Sequence, residues 1–492
     1  MSDACASRTG AFDSGMRLTL LATLMFLPAV ATAQAHSLTS ADSMLLGRVL
    51  LAEDQRDSMA VALAEGARSG DALIHLIAVR ARARITDARF TARDALPAVT
   101  APPAWPEPAW RLRLRLLSAR SDCSLLRIAL ADSAWPVRLR ATDLLTPACA
   151  GDDAIATTLR EWIDALPADA SRRPAGGVSW HAAAHASVAL ARVWPHEARA
   201  RITRLASHRQ PQVRTYAARA AAILADSARL RTMVQDPNDN VKEAAIEALG
   251  KLTAHADDDL YLGALQGRGA QAVRAAAVAL KGSPRTDVRA LASSVYSRWA
   301  SEGNASAHDV RAALLEAAGR SASEDRPLPV RAVLLPHVVA LALGADLRLR
   351  VTMAPASGGG SFTVRLRGDV APLMASRILA LARARYYDGL TWQRVEHDFV
   401  IQGGSPGANE YVGLPESMRD ELGTIPHVRG TVGMSTRGHD TGDAQWFVNL
   451  RDNLRLGRDY TVFAEVVEGI EVVDGILEGD VIASIDEVTA AR

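Results

Sequence analysis

The sequence predicts two folded regions in series, an all-α stack of helical repeats and then a mainly antiparallel β-barrel with capping helices. The first observation is that Ala, Leu and Arg recur at helical spacing from about Ala41 to Pro336, with almost no strand pattern. The second is a short motif, Val-Arg or Val-Lys after a polar turn, that returns along this stretch. The third is that apolar and charged residues alternate after Leu343, as they do in half-buried strands. We therefore assign residues 37–340 to the helical region and residues 345–492 to the barrel.

The repeated motif indicates helix-turn-helix units that resemble HEAT-type repeats. Its valines Val213, Val241 and Val273 lie 28 and 32 residues apart, which suits one helical hairpin per repeat. A single hairpin cannot bury its apolar face, so we expect the units to stack into a solenoid. Copies occur at Pro136-Val-Arg138, Pro211-Gln-Val-Arg214, Asp239-Asn-Val-Lys242, Ala272-Val-Arg274, Asp287-Val-Arg289 and Asp309-Val-Arg311.

Two functions fit such a stack, and the sequence leaves both open. Its concave face could bind a protein partner of unknown identity, or the stack could serve as a spacer or folding platform. The arginines of the motif could form a basic binding ladder, or each could pair with a neighbouring acid while its stem packs on the next hairpin. The chain carries 56 Lys+Arg against 55 Asp+Glu, so its net charge does not predict a nucleic-acid partner.

The first residues predict a secretory signal peptide within residues 1–35. Arg17 precedes the apolar run Leu18 to Val30, and Ala31-Thr-Ala33 supplies small residues for cleavage. Met16 is a candidate for the true start. A membrane anchor is the alternative, but this run is short for a span and no later stretch is long enough. We therefore expect an exported protein, periplasmic or secreted, with no stable membrane span after cleavage.

Three cysteines occur, and Cys5 would leave with the leader. Cys123 lies near the start of one predicted helix and Cys149 just after the end of the next. These two ends meet in an antiparallel helical hairpin, so a disulfide is geometrically feasible in an oxidising compartment. Two buried free thiols are the alternative. The disulfide is the prediction that we favour.

Two other motifs carry no predicted chemistry. His181 and His185 have the spacing of a zinc peptidase motif, but Ala182 stands where the general-base Glu is required, and no clear third ligand follows. We predict two helix histidines with hydrogen-bond partners, no metal and no cofactor. Gly358-Gly-Gly360 lacks the tail of a phosphate-binding loop and predicts a hairpin turn.

After Leu343 the pattern predicts short strands and an amphipathic helix. We expect the amphipathic helix between Ala371 and Ala384. The predicted strands are 347–352, 362–366, 391–395, 399–403, 431–435, 445–449, 461–466 and 481–488. An antiparallel barrel plugged by one or two helices satisfies this order.

Three sequence blocks of the barrel region carry the functional signal. They run from Tyr386 to Gly404 (YYDGLTWQRVEHDFVIQGG), from Gly430 to Asn449, and from Tyr460 to Val466. Their residues, order and spacing resemble the cyclophilins, a family of peptidyl-prolyl cis-trans isomerases. The resemblance covers roughly the last third of the chain and implies a cyclophilin-like barrel that acts on proline-containing polypeptides.

The resemblance also implies roles for individual residues. Arg394 matches the catalytic arginine of the family. The apolar slot for the proline ring would consist of Phe399, Val400 and Phe447, with Leu456 closing one side. Gln402 and Gln445 would bind the substrate backbone and orient the arginine. The backbone of Ser435 and Thr436 would pair with the residues before proline. Tyr460 would line the pocket.

Some positions depart from the family pattern. Val400 replaces a more common Met, Trp446 replaces a Phe, and Arg455 stands where many members have a pocket-edge Trp. These changes put tight binding of inhibitors such as cyclosporin in doubt, but not the isomerase chemistry. Two alternatives remain: a proline-segment binding or scaffold protein with weak or no turnover, and a protein whose helical region is the main functional part.

Overall fold

The computed structural model describes residues 38–87, 99–167, 179–325 and 337–488. The predicted leader in residues 1–35 lies outside these ranges. Helices α1 to α17 are Ser40–Gln55, Val61–Gly66, Ala72–Thr86, Ala109–Leu116, Cys123–Leu130, Trp135–Asp143, Asp153–Asp164, Trp180–Val193, Pro195–Ala206, Pro211–Ile223, Ser227–Met233, Asp239–Thr253, Asp258–Leu265, Ala270–Leu280, Thr286–Ser301, His308–Ala317 and Val338–Ala342. Among the described residues, no helix has both the length and the apolar character needed to cross a membrane.

From α8 to α16 the helices form two layers. The even-numbered helices α8, α10, α12, α14 and α16 pack side by side in sequence order, and the odd-numbered helices pack against them. Alanines in this seam, such as Ala217 and Ala276, are fully buried, so neighbouring helices approach closely. The layered helical architecture agrees with the predicted stack, whereas the assignment to a particular repeat family stays a prediction.

Both residues of the repeated Val-Arg motif stabilise the packing of these helices. Val213, Val241 and Val273 are almost fully buried. Arg214 pairs with Asp236 at 2.7 Å, and Arg274 pairs with two glutamates of α12 at 2.8 Å. These two arginines therefore pair with acids inside the stack, as the second of our two alternatives expected, and do not form a free basic ladder.

A disulfide joins Cys123 and Cys149, whose Cα atoms are 5.5 Å apart. Cys123 is the first residue of α5, and Cys149 ends a short turn after α6. Asp122 caps α5 by accepting a hydrogen bond from the Leu125 amide, so the helix start that carries Cys123 is fixed. The bridge closes the α5–α6 hairpin.

We predict that replacing both cysteines, Cys123→Ala with Cys149→Ala, lowers the free energy of unfolding by about 3–4 kcal/mol. The reason is that the bridge closes a loop of 26 residues and so restricts the unfolded chain. Chemical denaturation of the oxidised protein measures the loss. A reductant should bring the parent chain to the stability of the variant and leave the variant unchanged; equal stability without reductant would contradict the prediction.

After α17 the chain forms an eight-stranded sheet in the order β3-β4-β6-β5-β7-β2-β1-β8, with every paired strand antiparallel. Strands β1 to β8 are Arg348–Met353, Ser361–Leu366, Arg394–Val395, Val400–Gly403, Thr431–Met434, Trp446–Asn449, Val462–Glu468 and Ile482–Val488. Helices α18 (Pro372–Arg383) and α19 (Ile470–Gly475) pack on this sheet. A bridge between Thr391 and Val481 links its two ends, so the sheet curls as the barrel prediction requires.

The connection between β1 and β2 shows why the glycine run is needed. Gly358, Gly359 and Gly360 have φ angles of 94°, 67° and 85°, in the region that L residues with side chains rarely adopt. The run therefore turns the chain back in a hairpin, as the sequence predicted.

The described residues from Leu38 onward form one compact unit, so the helical region and the barrel pack together. Arg84 of α3 donates to the Leu422 carbonyl at 2.7 Å, and the fully buried Arg111 of α4 pairs with Asp474 at 2.6 Å. Buried arginines of the first helices thus reach into the barrel.

Candidate active site

Strand register places four residues in one row across the sheet. Arg394 of β3 pairs with Gln402 of β4, Gln402 pairs with Phe447 of β6, and Phe447 pairs with Gly433 of β5. Directly paired residues of antiparallel strands project to the same face of the sheet. The row therefore brings the guanidinium, the amide and the aromatic ring to one surface.

An apolar cluster lies beside this row. Val400, Phe447 and Leu456 are almost fully buried, and Phe399 and Tyr460 pack against them. The Phe447 and Tyr460 rings meet edge to face, with centroids 5.7 Å apart. A Cβ atom at position 433 would lie 2.4 Å from the Phe447 ring, so only glycine leaves room for this arrangement.

These groups surround an open cavity of about 450 Å³. Its lining contains nine of the ten residues that the resemblance singled out, namely Arg394, Phe399, Val400, Gln402, Ser435, Thr436, Phe447, Leu456 and Tyr460. Gln445 is the exception, because it is buried behind Gln402 and does not line the cavity. The size suits a small apolar ring with its flanking peptide groups.

The guanidinium of Arg394 lies at the rim of this cavity. Its side chain is 45% exposed, and Nε donates to Oε1 of Glu396 at 2.9 Å. Its central carbon lies 5.9 Å from the Phe399 ring centroid, while that of Arg455 lies 4.9 Å from the same ring. Phe399 therefore has two guanidinium neighbours, and the cation of Arg394 is held by a carboxylate.

Gln445 accepts hydrogen bonds from two other glutamines near the row. Gln402 donates to Oε1 of Gln445 at 3.3 Å, and Gln393 donates to the same oxygen at 2.9 Å. The Gln445 amide donates to the carbonyls of Glu410 and Val412, each at 3.2 Å. Gln445 thus fixes Gln402, whereas in the described structure the side-chain hydrogen bonds of Arg394 go to Glu396.

The strand that borders the cavity presents backbone groups. The Ser435 amide donates to the Gln445 carbonyl at 2.9 Å, so it is already used inside the protein. Any pairing with a bound peptide along this edge therefore falls to the Ser435 carbonyl and the backbone of Thr436.

Sequence reasoning missed several residues that shape the site. Glu410 and Asp459 line the cavity, and Glu396 holds Arg394. Glu396 follows Arg394 by two positions in an extended segment, where side chains two apart share a face, so this spacing was a usable signal. His427 lies under the apolar slot, stacked on Phe447 with ring centroids 5.8 Å apart. No local sequence pattern predicted a role for His427.

His427 is held in its neutral form. It hydrogen-bonds the Tyr460 carbonyl through Nε2 at 3.0 Å, and its Nδ1 lies 3.1 Å from the amide nitrogen of Asn449. An amide nitrogen can only donate, so Nδ1 accepts and Nε2 carries the proton. Burial lowers the pKa of His427 to about 4. The support beneath Phe447 therefore depends on an uncharged imidazole.

We predict that the protein loses stability as the pH falls from about 6.5 to about 4 because of His427. Its pKa is lowered on folding, so the unfolded chain binds the proton in this window and the folded chain does not. The expected loss is about 3 kcal/mol. Denaturation of His427→Gln across this range should lack that component.

His75→Gln supplies the control, because His75 is an exposed helix histidine far along the chain from the cavity. That variant should retain the full pH dependence of the parent. A His427→Gln curve parallel to the parent curve would contradict the prediction.

The two histidines of helix α8 have a structural role. His181 hydrogen-bonds the Glu478 carbonyl at 2.7 Å, and His185 hydrogen-bonds Asp143 at 2.7 Å and the Tyr216 hydroxyl at 3.1 Å. Across the described ranges, no group of three or more His, Cys, Asp or Glu side chains is arranged to hold a metal ion.

Fold and site together define an antiparallel barrel with an arginine at the rim of an open cavity that has an apolar floor. The family model "cyclophilin type peptidyl-prolyl cis-trans isomerase" matches residues 350–490. A peptidyl-prolyl cis-trans isomerase of Helicobacter pylori is 35% identical over 130 residues, which are 26% of this chain and 80% of that protein. Peptidyl-prolyl cis-trans isomerase B of Bacillus subtilis is 32% identical over 26% of this chain and 90% of that protein.

A crystal structure of a cyclophilin-type isomerase from Cryptosporidium parvum, 19% identical, aligns with 30% of this chain and 99% of that chain at a TM-score of 0.28. Through its C-terminal region the chain belongs to the cyclophilin-type peptidyl-prolyl cis-trans isomerase family. The family model does not extend over the helices that precede residue 350.

Proposed function

We propose that this protein isomerises X-Pro bonds of exported, proline-containing polypeptides and that Arg394 is its catalytic residue. The observation that carries this proposal is that Arg394 and the apolar slot of Phe399, Val400 and Phe447 line one open cavity. A proline ring seated in that slot has its peptide bond next to the guanidinium.

The chemistry required of the site is modest. The X-Pro bond resists rotation because of its partial double-bond character, with a barrier of roughly 18–20 kcal/mol. A rate of about a thousand per second corresponds to a barrier near 13 kcal/mol, so the site must lower it by about 5–7 kcal/mol. No nucleophile or cofactor is needed for a rotation.

The guanidinium supplies the selective stabilisation. In the twisted transition state the prolyl nitrogen regains a lone pair, which a positive hydrogen-bond donor stabilises more than it stabilises either planar isomer. The buried apolar floor of Val400, Phe447 and Leu456 excludes water and strengthens this interaction.

The remaining residues bind and position. Gln402 meets the substrate backbone, Gln445 holds Gln402 in place, and Tyr460 supports the Phe447 ring. The Ser435 carbonyl and the Thr436 backbone pair with the residues that precede proline. Gln445 is thus a positioning residue, since it is buried away from the cavity.

Two further parts of the proposal concern location and the helical region. Export to a periplasm or beyond is supported by the leader pattern before residue 35 and by the Cys123–Cys149 disulfide, which suits an oxidising compartment. The helical region acts as a protein-binding surface for the clients of the isomerase. Its packing against the barrel in one compact unit supports this role.

A second candidate is a proline-binding or scaffold protein with weak turnover. The ion pair between Arg394 and Glu396 favours it, because a guanidinium held by a carboxylate is less available to the prolyl nitrogen. The two experiments that follow separate the candidates.

We predict that Arg394→Ala lowers kcat/KM for a short proline peptide by about 100- to 1,000-fold, the usual cost of removing one charged or polar donor at a transition state. A protease-coupled isomerisation assay on the full chain measures it. Arg350→Ala is the matched control, because Arg350 is an exposed arginine of β1 that does not line the cavity. Unchanged activity of Arg394→Ala would exclude the proposed catalysis.

We also predict that Glu396→Gln raises kcat/KM by up to about fivefold at low salt, since breaking a half-exposed ion pair releases at most about 1 kcal/mol. The gain should shrink at high ionic strength, where the pair is already screened. A fall in activity instead would mean that Glu396 aims the guanidinium.

A further inference from the structure

We infer that helices α10 and α12 form one wall of a groove that holds an extended, apolar stretch of the unfolded substrate while its X-Pro bond lies beside Arg394. This inference rests on the proposed isomerase function. It adds a second binding site, outside the matched family region, and a chemical class of client.

The groove lies between the helical layers and the barrel loops and is continuous with the active-site cavity. Its volume is about 1150 Å³, and Arg394, Gln402 and Glu410 line both spaces. Pockets for small ligands usually measure about 300–1,000 Å³, so a larger groove that opens on a peptide site suits a polypeptide.

One face of each helix forms the wall. Its residues recur three or four positions apart, as residues on one side of a helix do. They include Arg219 and Ile223 of α10, and Asn240, Glu243, Glu247 and Leu252 of α12. Val213 and Leu249 lie on other faces of these helices and are buried in the stack, so the wall is a second face that the fold leaves open.

Two large aliphatic side chains are exposed on this wall. Ile223 is 43% exposed and Leu252 is 41% exposed. Glu243 and Glu247 lie on the same face, but both pair with Arg274 at 2.8 Å. The two exposed aliphatic groups are therefore the free apolar contacts that the wall offers to a bound chain.

Hydrogen bonds to the barrel fix the wall in position. Asn240 donates to the Gly407 carbonyl at 3.0 Å and accepts from the Asn409 amide at 2.8 Å. The Tyr216 hydroxyl donates to Glu478 at 2.9 Å. The contacts of α12 lie at its N-terminal end, so the C-terminal end that carries Leu252 lies farther from the barrel.

The geometry sets the length of client that can reach the aliphatic pair. Leu252 follows Asn240 by twelve residues, which is about 18 Å along a helix. An extended chain covers about 3.3 Å per residue, so roughly five or six residues separate the barrel edge from Ile223 and Leu252. A tetrapeptide cannot bridge this span, whereas an unfolded segment can.

The occupant is therefore an unfolded polypeptide with apolar side chains about six residues or more from its proline. A folded partner would meet the rims of the groove and not its interior. Continuity with a site whose substrate is itself a polypeptide favours the client over an unrelated protein.

The test compares two substrates with the same X-Pro bond, a tetrapeptide and a peptide of about twenty residues whose flanks carry Leu and Val. The full chain is used as the parent and as the double variant Ile223→Ser with Leu252→Ser. The control carries Ile128→Ser and Val278→Ser, which are exposed by 68% and 49% and lie outside the groove. Thermal melting checks that all three proteins are folded.

We expect the double variant to raise KM for the long peptide about tenfold with kcat unchanged, and to leave tetrapeptide kinetics within about twofold, because uniform binding affects KM alone. The control should match the parent on both substrates. An equal KM for the long peptide in the parent and the double variant would contradict the proposed binding of the substrate in the groove.

Fluorescence anisotropy of the labelled long peptide separates this inference from the proposed function. Binding that weakens about tenfold in the double variant supports the groove even if no turnover is found. Active tetrapeptide isomerisation with no such weakening keeps the enzyme and rejects the groove.

Discussion

The register of four neighbouring strands is the constraint on which the site depends. Because Arg394, Gln402, Phe447 and Gly433 occupy one row, each side chain or missing side chain has a defined neighbour. A slip of one residue in any pairing would turn that strand's contribution to the opposite face. Gly433 secures the row in turn, since any Cβ there would collide with the Phe447 ring. The strand register therefore places the aromatic ring of the slot and the cation on the same face of the sheet.

A second constraint ties the helical region to the barrel. Glu53 lies fully buried between Arg80 and Arg84; burial alone would raise its pKa, but the two guanidinium groups lower the pKa to about 2. Arg84 also donates hydrogen bonds to the carbonyls of Leu422 and Val370, at 2.7 and 3.0 Å. Buried charges that pair with one another are costly to separate, because either partner left alone would be desolvated without compensation. The hydrogen bonds of Arg84 therefore tie helix α3 to the barrel.

Local sequence patterns predicted much of this architecture. Alternation and the turn glycines located β1 and β2, the other strand predictions lay within a few residues of β4 to β8, and β3 was shorter than predicted, Arg394–Val395. The valine of the repeat motif marked the seam between helices because a β-branched apolar residue at a fixed helical position must be buried in a stack. The resemblance to the family then located the lining of the cavity, with Gln445 placed one layer deeper than expected.

The sequence could not predict contacts between residues that are far apart in the chain. Arg84 and Leu422 are separated by 338 positions, and no periodicity relates them. The same holds for Asn240 and Gly407, which join the wall to the loop beside the cavity. The lining of the cavity comes from the barrel segment alone, whereas its surroundings depend on how the two regions pack. The apolar floor of the cavity is buried within one segment, whereas the half-exposed Arg394, which Glu396 holds at the rim, also lines the groove beside α10 and α12.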